Sequence, residues 1–306
     1  MIEPKSLIDI IADDVRFYLP YELGRYFVAA GVLTALVWLM KRTHLKSRQI
    51  QTRSATAVDI RREISSSMLT IFWYLVIAVI TDWSLHTGIL IYGGDDHPFA
   101  YNLMMFGLII IGHDTYFYWT HRAMHTRWLF KTFHRHHHQS VTPSPWTAYS
   151  FAAPEAILNA LFIPVWLIFV PTPGIVTFAF LTFQIIRNVT AHAGLEIHPR
   201  WWLSTPITSW INTTTHHDLH HAGGFNYNYA SWFTFWDRLM GTEHPAYRAT
   251  FARVTASTGV PPCAFPTSET QPQGSVPNPS GLWLTNRGSI VAPRPLFAPL
   301  ESGPRL

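Results

Sequence analysis

The stretch "FGLIIIGHDTYFYWTHRAMHTRWLFKTFHRHHHQS", residues 106–140, joins an apolar run to the densest group of histidines in the chain. Six of the 17 histidines fall within residues 120–140. The apolar half is typical of a membrane helix, and the neutral imidazole that dominates the other half is a common metal ligand. The sequence therefore places a candidate metal site beside a candidate membrane span.

The overall composition also indicates a membrane protein. Hydrophobic residues make up 48% of the 306 residues and charged residues only 13%, a balance unusual for a soluble protein. The single cysteine, Cys263, excludes a disulfide framework, a thiolate zinc site and a cysteine-ligated iron–sulfur centre within this chain. The first residues are acidic where a secretory signal needs positive charge, so we expect insertion through the chain's own spans.

Apolar runs predict about four transmembrane helices. A bilayer core needs roughly 20 apolar residues in a helix. The last apolar region is interrupted by "PTPG", which predicts a helical hairpin with either spanning or re-entrant arms. The runs cover residues 25–40, 68–92 and 99–119, followed by hairpin arms at 156–170 and 175–186.

The charges of the short loops predict the orientation of these spans. Residues 41–66 carry seven basic and two acidic side chains, whereas residues 1–23 carry two basic and five acidic ones. Loops rich in lysine and arginine stay in the cytoplasm. The acidic connection "GGDDHP", residues 93–98, is then external, and every histidine-rich segment lies on the cytoplasmic face.

The spacing of the histidines predicts two metal ions. The pair in "HRAMH" is four positions apart and can bind one ion from a single helix face. The spacing HxxHH occurs in "HRHHH" and again in "HHDLHH", and on a helix it places three imidazoles on an arc of about 100°. One first-row ion takes four to six ligands, and neutral imidazole suits iron, zinc and copper alike. The eight candidates are His121, His125, His134, His137, His138, His217, His220 and His221.

The chain must turn between the first two motifs. On one continuous helix His121 and His134 would lie roughly 20 Å apart along the axis. We therefore expect Thr132 to cap a new helix that begins near Phe133. His136 and His216 break the spacing and are expected outside the ligand sets, as solvent groups or as partners of ligands.

Two acidic residues could support the ligands. Asp114 lies seven positions before His121 and could either accept a hydrogen bond from a ligand imidazole or cap a helix. Glu155 follows Pro154, and we interpret it as a charge at a helix N-terminus in preference to a partner of a ligand.

Residues 112–245 resemble the fatty acid hydroxylase/sterol desaturase superfamily of membrane di-iron enzymes. The resemblance rests on "HDTYFYWTHRAMH", "LFKTFHRHHHQS", "NVTAH" and "HHDLHHAGGFNYNYASWFTFWDRLMGTEHP", and the last segment is most similar to sterol C-5 desaturase-like members. It implies that the eight histidines hold two non-haem irons. It adds His192 as a ligand and Asn188 as a group acting through water. Ala230 stands where such members often carry glycine, which leaves the substrate open.

The resemblance implies a dioxygen-dependent enzyme that hydroxylates or desaturates a lipid C–H bond, most simply a sterol desaturase-like enzyme of lipid or sterol biosynthesis. Chemistry like that of fatty acid hydroxylases, C-4 methyl oxidases or carotenoid hydroxylases remains an alternative within this class. Outside it, a non-enzymatic metal-handling membrane protein and a zinc-dependent membrane hydrolase remain open.

Electrons for this reaction must come from another protein. The chain has no cysteine cluster, no G-x-G-x-x-G after a strand and no HPGG motif. We therefore expect a cytochrome b5-like protein, a ferredoxin or a reductase as a partner, and no nucleic acid. The basic residues of the segment 41–62 could dock an acidic partner, although the positive-inside rule explains them equally well.

The sequence thus predicts an all-α integral membrane bundle with a cytoplasmic helical di-iron cap, in a bacterial inner membrane or the endoplasmic reticulum. We divide it into a non-cytoplasmic segment 1–23, a di-iron hydroxylase/desaturase domain 24–248 and a proline-rich tail 249–306. The tail is expected to be disordered.

Overall fold

A computed structural model describes residues 5–223 and 225–256 of the chain. Within these ranges all regular elements are helical, and β-type pairing is confined to two isolated bridges, Gln49 with Leu195 and Ile211 with Phe233. The all-helical prediction is confirmed for this part of the chain. The α-helices are α1 (Leu7–Asp13), α2 (Leu19–Met40), α3 (Ala57–His86), α4 (Phe99–Met124), α5 (Phe130–Phe133), α6 (Ala153–Ala160), α7 (Phe162–Phe169), α8 (Gly174–Ala191), α9 (Thr214–His221), α10 (Phe235–Leu239) and α11 (Tyr247–Val254).

The first membrane helix begins earlier than the sequence predicts. Ser6 caps α1 by accepting a hydrogen bond from the backbone N–H of Asp9. A π-helical turn, Asp14–Tyr18, joins α1 to α2, so the helix runs continuously from Leu7–Met40. The predicted start at residue 25 is wrong, and the helix reaches far into the segment 1–23. Acidic residues lower the mean hydropathy of that first half without interrupting the helix.

Among the described residues, three helices are long and apolar enough to cross a membrane, namely Leu7–Met40, Ala57–His86 and Gly174–Ala191. The predicted span in α4 is long enough at 26 residues, but α4 is not among these three. The first hairpin arm consists of two short helices, α6 and α7, which meet at Leu161. The structure thus supports a membrane protein with three such helices, and a fourth span stays a prediction.

The hairpin turn lies where the sequence predicts it. Helix α7 ends at Phe169 and α8 begins at Gly174, with Pro171 and Pro173 in the connection. Neither proline can sit inside a regular helix without loss of a backbone hydrogen bond, so both arms end there.

Apolar packing places α8 at the centre of the bundle. One core cluster, around Tyr26, Ile71 and Val189, joins α2 and α3 to α8. A second cluster, which includes Ile109 and Phe180, joins α4 and α7 to α8. The C-terminal ends of α4 and α8 carry the first histidines of the site, so this packing fixes their relative position.

The turn after α4 differs from the predicted one. Helix α4 ends at Met124, α5 is a single turn, and a 3₁₀-helix covers His137–Gln139. Thr132 lies inside α5, so the prediction that it caps a helix from Phe133 is wrong. The "HRHHH" segment is a turn followed by 3₁₀-helix and not α-helix. Its histidines therefore point in more directions than α-helical spacing allows.

Helix α11 covers the first residues of the segment predicted to be a tail. Tyr247 and Phe251 are buried against Leu219 of α9, so this part of the chain is packed. This packed helix extends across the predicted boundary at residue 249, and the division of the chain into domains stays a prediction. The rest of the predicted disordered tail, residues 257–306, lies outside the described residues.

Candidate metal centre

Nine of the candidate histidines converge in two clusters at the ends of α4 and α8. In each cluster every residue offers one ligand atom, and these atoms lie within 4.8 Å of one another. Asn188 belongs to neither cluster, because its side-chain amide donates to the carbonyl oxygen of Ala148 at 2.6 Å. The first cluster contains His121, His125, His134, His138 and His220, and the second contains His137, His192, His217 and His221.

Each HxxHH motif is divided between the two clusters. His137 lies in the second cluster, apart from its motif partners, because the 3₁₀-helix turns it away from them. On α9 His217 and His221 share one helix face, while His220 is rotated by about 100° from His221 and reaches the first cluster. The prediction that each motif presents three imidazoles to one side is therefore wrong, and α9 contributes to both clusters.

Hydrogen bonds fix the tautomer of most of these imidazoles. A carbonyl or carboxylate oxygen only accepts, so each Nδ1 that contacts one carries the proton and leaves a lone pair on Nε2. Six ring nitrogens make such contacts: Nδ1 of His121 to Tyr229 O at 2.7 Å, of His134 to Glu155 Oε1 at 2.7 Å, of His137 to Ser150 O at 3.3 Å, of His192 to Asn188 O at 2.8 Å, of His220 to Tyr227 O at 2.7 Å and of His221 to Ser140 O at 3.0 Å.

The Nε2 atoms face one another at distances that suit cations. His121 and His134 bring their Nε2 atoms to 2.9 Å, and His137 and His192 bring theirs to 3.3 Å. Because each Nδ1 in these pairs donates to oxygen, two lone pairs would face each other and repel. With metal–nitrogen bonds of about 2.1 Å, neighbouring ligand atoms lie about 3.0–3.4 Å apart. The donor set therefore fits one metal ion in each cluster.

Burial keeps the imidazoles in the form that binds metals. Loss of solvation, and then the neighbouring imidazoles, hold the pKa of His134, His138 and His220 well below the ordinary value. The pKa values of His137, His217 and His221 in the second cluster are lowered for the same reasons. At neutral pH these rings are uncharged and keep a lone pair for a metal ion.

Glu155 contacts a candidate ligand directly, in addition to its predicted place at a helix N-terminus. It lies in the first turn of α6, as expected for an N-terminal charge. Its buried carboxylate also accepts the hydrogen bond from Nδ1 of His134 described above, so the carboxylate orients a candidate ligand. Glu155 is therefore both a charge at a helix N-terminus and a hydrogen-bond partner of a candidate ligand.

Asp114 does neither of the two things that the sequence suggests. Its Oδ1 accepts the backbone N–H groups of Trp232 at 2.8 Å and Phe233 at 3.2 Å. The carboxylate thus ties α4 to the segment that follows the third histidine motif. The neighbouring His113 accepts a hydrogen bond from Nε1 of the same Trp232 at 3.1 Å. The sequence analysis did not identify His113 as part of the site.

Asp237 explains part of the "FNYNY…FWDRLMGT" motif. Its two carboxylate oxygens accept the backbone N–H groups of Tyr229 and Ala230, each at 3.0 Å. The carbonyl of the same Tyr229 accepts the hydrogen bond from His121. Asn228, at φ 58°, adopts the left-handed conformation that asparagine tolerates and so makes the required turn. The motif therefore positions a candidate ligand through the backbone.

His136 and His216 lie outside both clusters, as their positions in the sequence suggest. His136 hydrogen-bonds through Nε2 to Ser66 Oγ at 2.7 Å. His216 is fully buried, with Nε2 3.4 Å from Asp237 Oδ2, so it is not a solvent group.

A cavity of about 380 Å³ lies inside the bundle beside the clusters. Phe117 and Phe151 line its inner end, with ring centroids 5.0 Å from His121 and 5.1 Å from His137 respectively. Along α8 the lining extends from Gly174 to Asn188, a length of about 21 Å at the rise of an α-helix. The cavity is large enough and long enough for an extended small lipid, and one end lies next to the candidate metal centre.

Residues 106–242 match the fatty acid hydroxylase family. The chain is 29% identical to the Delta(7)-sterol 5(6)-desaturase erg31 of Schizosaccharomyces pombe over 174 residues, which is 56% of this chain and 53% of that protein. It is 27% identical to the lathosterol oxidase of Homo sapiens over 188 residues, 60% of this chain and 61% of that protein. It is 31% identical to the Delta(7)-sterol 5(6)-desaturase of Leptosphaeria maculans over 142 residues, 46% of this chain and 37% of that protein.

These similarities agree with the superfamily resemblance that the histidine motifs predict, and with its sterol desaturase-like members. The chain spans about half the length of the relatives it matches. No solved structure gives a significant match.

Proposed function

We propose that this chain is a dioxygen-dependent membrane oxidoreductase that hydroxylates or desaturates a lipid C–H bond, with a sterol as the first candidate substrate. The observation that carries the proposal is the convergence of nine imidazoles, in two metal-sized clusters, at the end of a long cavity inside an apolar bundle. The names of the relatives, sterol desaturase and lathosterol oxidase, favour the same chemistry.

Iron is the metal that we propose for both clusters. Neutral imidazole alone also suits zinc, but zinc has no redox chemistry and cannot serve an oxidase or a desaturase. Two iron ions bound there would supply the oxidation of an unactivated C–H bond with dioxygen as co-substrate. We propose all nine clustered histidines as ligands. Asn188 is one helical turn from His192 and acts through the backbone carbonyl that orients this ring.

The protein's own residues perform three tasks. The oxygen acceptors on six of the nine Nδ1 atoms hold those imidazoles in one tautomer, which keeps their Nε2 lone pairs directed into the clusters. The apolar lining of the cavity excludes water and holds a lipid in one orientation. Phe117 and Phe151 separate the cavity from the clusters, and they set the position of the carbon that is oxidised.

We also propose the membrane arrangement that the sequence predicts. About four spans would place both clusters at the cytoplasmic face, because the basic loop that follows α2 stays in the cytoplasm. A cytochrome b5-like protein, a ferredoxin or a reductase would deliver electrons there. The membrane is the endoplasmic reticulum or a bacterial inner membrane.

Lipid mass spectrometry of a sterol-producing host, with and without expression of the chain, tests the proposal. A product lighter by two hydrogens indicates desaturation, and one heavier by one oxygen indicates hydroxylation. His220→Ala serves as the inactive control, since it removes a ligand from the first cluster. An unchanged lipid profile, or a product that also forms under strict anaerobiosis, would contradict the proposal.

A further inference from the structure

The hydroxyls of three tyrosines in the cavity lining have no hydrogen-bond partner among the described residues. They belong to Tyr18, Tyr74 and Tyr149, which all line the cavity. Tyr149 is only 3% exposed. Other tyrosines of this bundle are paired: the hydroxyl of Tyr26 donates to the carbonyl oxygen of Trp146 at 3.0 Å, and that of Tyr116 to Leu158 O at 2.7 Å. None of the three hydroxyls is among the fully buried polar atoms that lack a partner, so each keeps accessible surface and is available to a ligand.

The arginine of a buried ion pair lines the same cavity. Arg25 Nε and Nη2 donate to the two carboxylate oxygens of Glu22 at 2.5 and 2.6 Å. Its Nη1 donates to the carbonyl of Leu181. The Arg25 and Glu22 side chains are 7% and 0% exposed. The guanidinium lines the cavity, but its charge is already neutralised by Glu22.

The remaining charges of the cavity disfavour an anion. Asp14 and Asp82 both line it, and one carboxylate oxygen of Asp14 is buried without a partner. With Arg25 neutralised, a negatively charged lipid head would meet more negative than positive charge in a low-dielectric space. A hydroxyl meets no such penalty, since a tyrosine O–H can both donate to it and accept from it.

The position of these groups separates them from the metal centre. Phe151 lies between Tyr149 and the second cluster. Its ring centroid is 6.5 Å from that of Tyr149 and 5.1 Å from that of His137. On α8 the Arg25 contact at Leu181 lies about 10 Å along the axis from Asn188. A lipid whose oxygen binds here can still extend to the inner end of the cavity.

We propose that Tyr18, Tyr74 and Tyr149, together with the neutralised Arg25, form a binding site for an uncharged oxygen of the lipid substrate. The inference rests on the proposed function and narrows it. The preferred substrate is a lipid alcohol, and neither a hydrocarbon nor a free fatty acid of the same skeleton binds as tightly. A hydroxyl some distance from the oxidised carbon then determines which carbon reaches the clusters.

Equilibrium binding to the purified full-length protein tests this site. The probes are tritiated hexadecanol and cholestanol, each measured against the corresponding hydrocarbon, hexadecane or cholestane, and against ionised hexadecanoic acid. We expect at least one alcohol to bind about fivefold to tenfold more tightly than its hydrocarbon, as one hydrogen bond allows. Tyr149→Phe and Tyr74→Phe should remove this preference. Tyr116→Phe is the matched control, since its hydroxyl is held by Leu158 and does not line the cavity.

Affinity for the hydrocarbon reports on folding, because it should be the same in every variant. Equal binding of alcohol and hydrocarbon, or tighter binding of the ionised acid, would overturn the proposal. So would an alcohol preference that survives both tyrosine substitutions. Binding requires no turnover, so a protein that binds alcohols but yields no oxygen-dependent product would contradict the proposed function and leave this site intact.

Discussion

Replacing Glu155 tests whether a carboxylate outside the clusters holds a metal ligand in place. Glu155 Oε1 accepts from Nδ1 of His134 at 2.7 Å, and the side chains of both residues are 2% exposed. The other carboxylate oxygen is buried without a partner. In Glu155→Gln the acceptor remains and its charge is lost. In Glu155→Ala the acceptor itself is lost and the imidazole of His134 is free to rotate.

The expected magnitudes follow from the strength of this hydrogen bond. A buried hydrogen bond to a charged group contributes about 1.5–3 kcal/mol, and a neutral one about half as much. Glu155→Gln should therefore weaken metal binding in the first cluster about fivefold to tenfold, and Glu155→Ala about 30-fold to 100-fold. The second cluster, which does not contain His134, should keep its affinity and acts as an internal control.

Titration with a chelator, followed by iron analysis of the purified variants, measures both affinities. We expect a single transition for the native protein and two for Glu155→Ala, with one iron per chain lost early. If both variants release their iron at the native chelator concentration, Glu155 does not orient His134 and the reasoning fails. Simultaneous early loss of both irons would show instead that the substitution disturbs the fold.

Four further substitutions test other parts of the site. His137→Ala and His220→Ala each remove one ligand from a different cluster, so each should abolish turnover and lower the iron content; full activity in either would refute the ligand assignment. In Asp237→Asn, an amide N–H faces one of the two backbone N–H groups from which Asp237 accepts hydrogen bonds. We expect the free energy of unfolding, measured by thermal denaturation, to fall by about 1–3 kcal/mol, and iron to bind more weakly. Ala78→Phe fills the cavity and should lower turnover about tenfold or more at unchanged iron content; undiminished turnover would exclude this cavity as the substrate site.

The spacing of the histidines along the sequence selects eight of the nine clustered histidines, and the family resemblance adds His192, but neither divides them between the two clusters. All nine histidines predicted to be ligands lie in the two clusters. Their division depends on the backbone: "HRHHH" folds as a turn and 3₁₀-helix, which sends His137 to one side and His138 to the other. Spacing along the sequence cannot reveal this division, because α-helical and 3₁₀ geometries place the same residues on different faces.

The groups that hold the candidate ligands in place depend on long-range contacts. Asp114 lies on the helix that carries His121, yet it bonds the backbone near Trp232, more than a hundred positions away. Glu155 reaches His134 only because α6 packs beside α5, and the sequence favoured a simpler role for it. Tyr229 contributes a backbone carbonyl, which no side-chain pattern encodes. The fold class was predictable from apolar runs, whereas the length of the first helix was not, since its acidic residues lower the local hydropathy.

Mössbauer spectroscopy of the purified protein, loaded with iron under reducing conditions and then oxidised, tests the central claim most directly. The account predicts two irons per chain, in two all-nitrogen sites close enough to couple magnetically, and one remaining uncoupled iron in His137→Ala. A native protein that holds fewer than two irons and shows no coupling between them would contradict it.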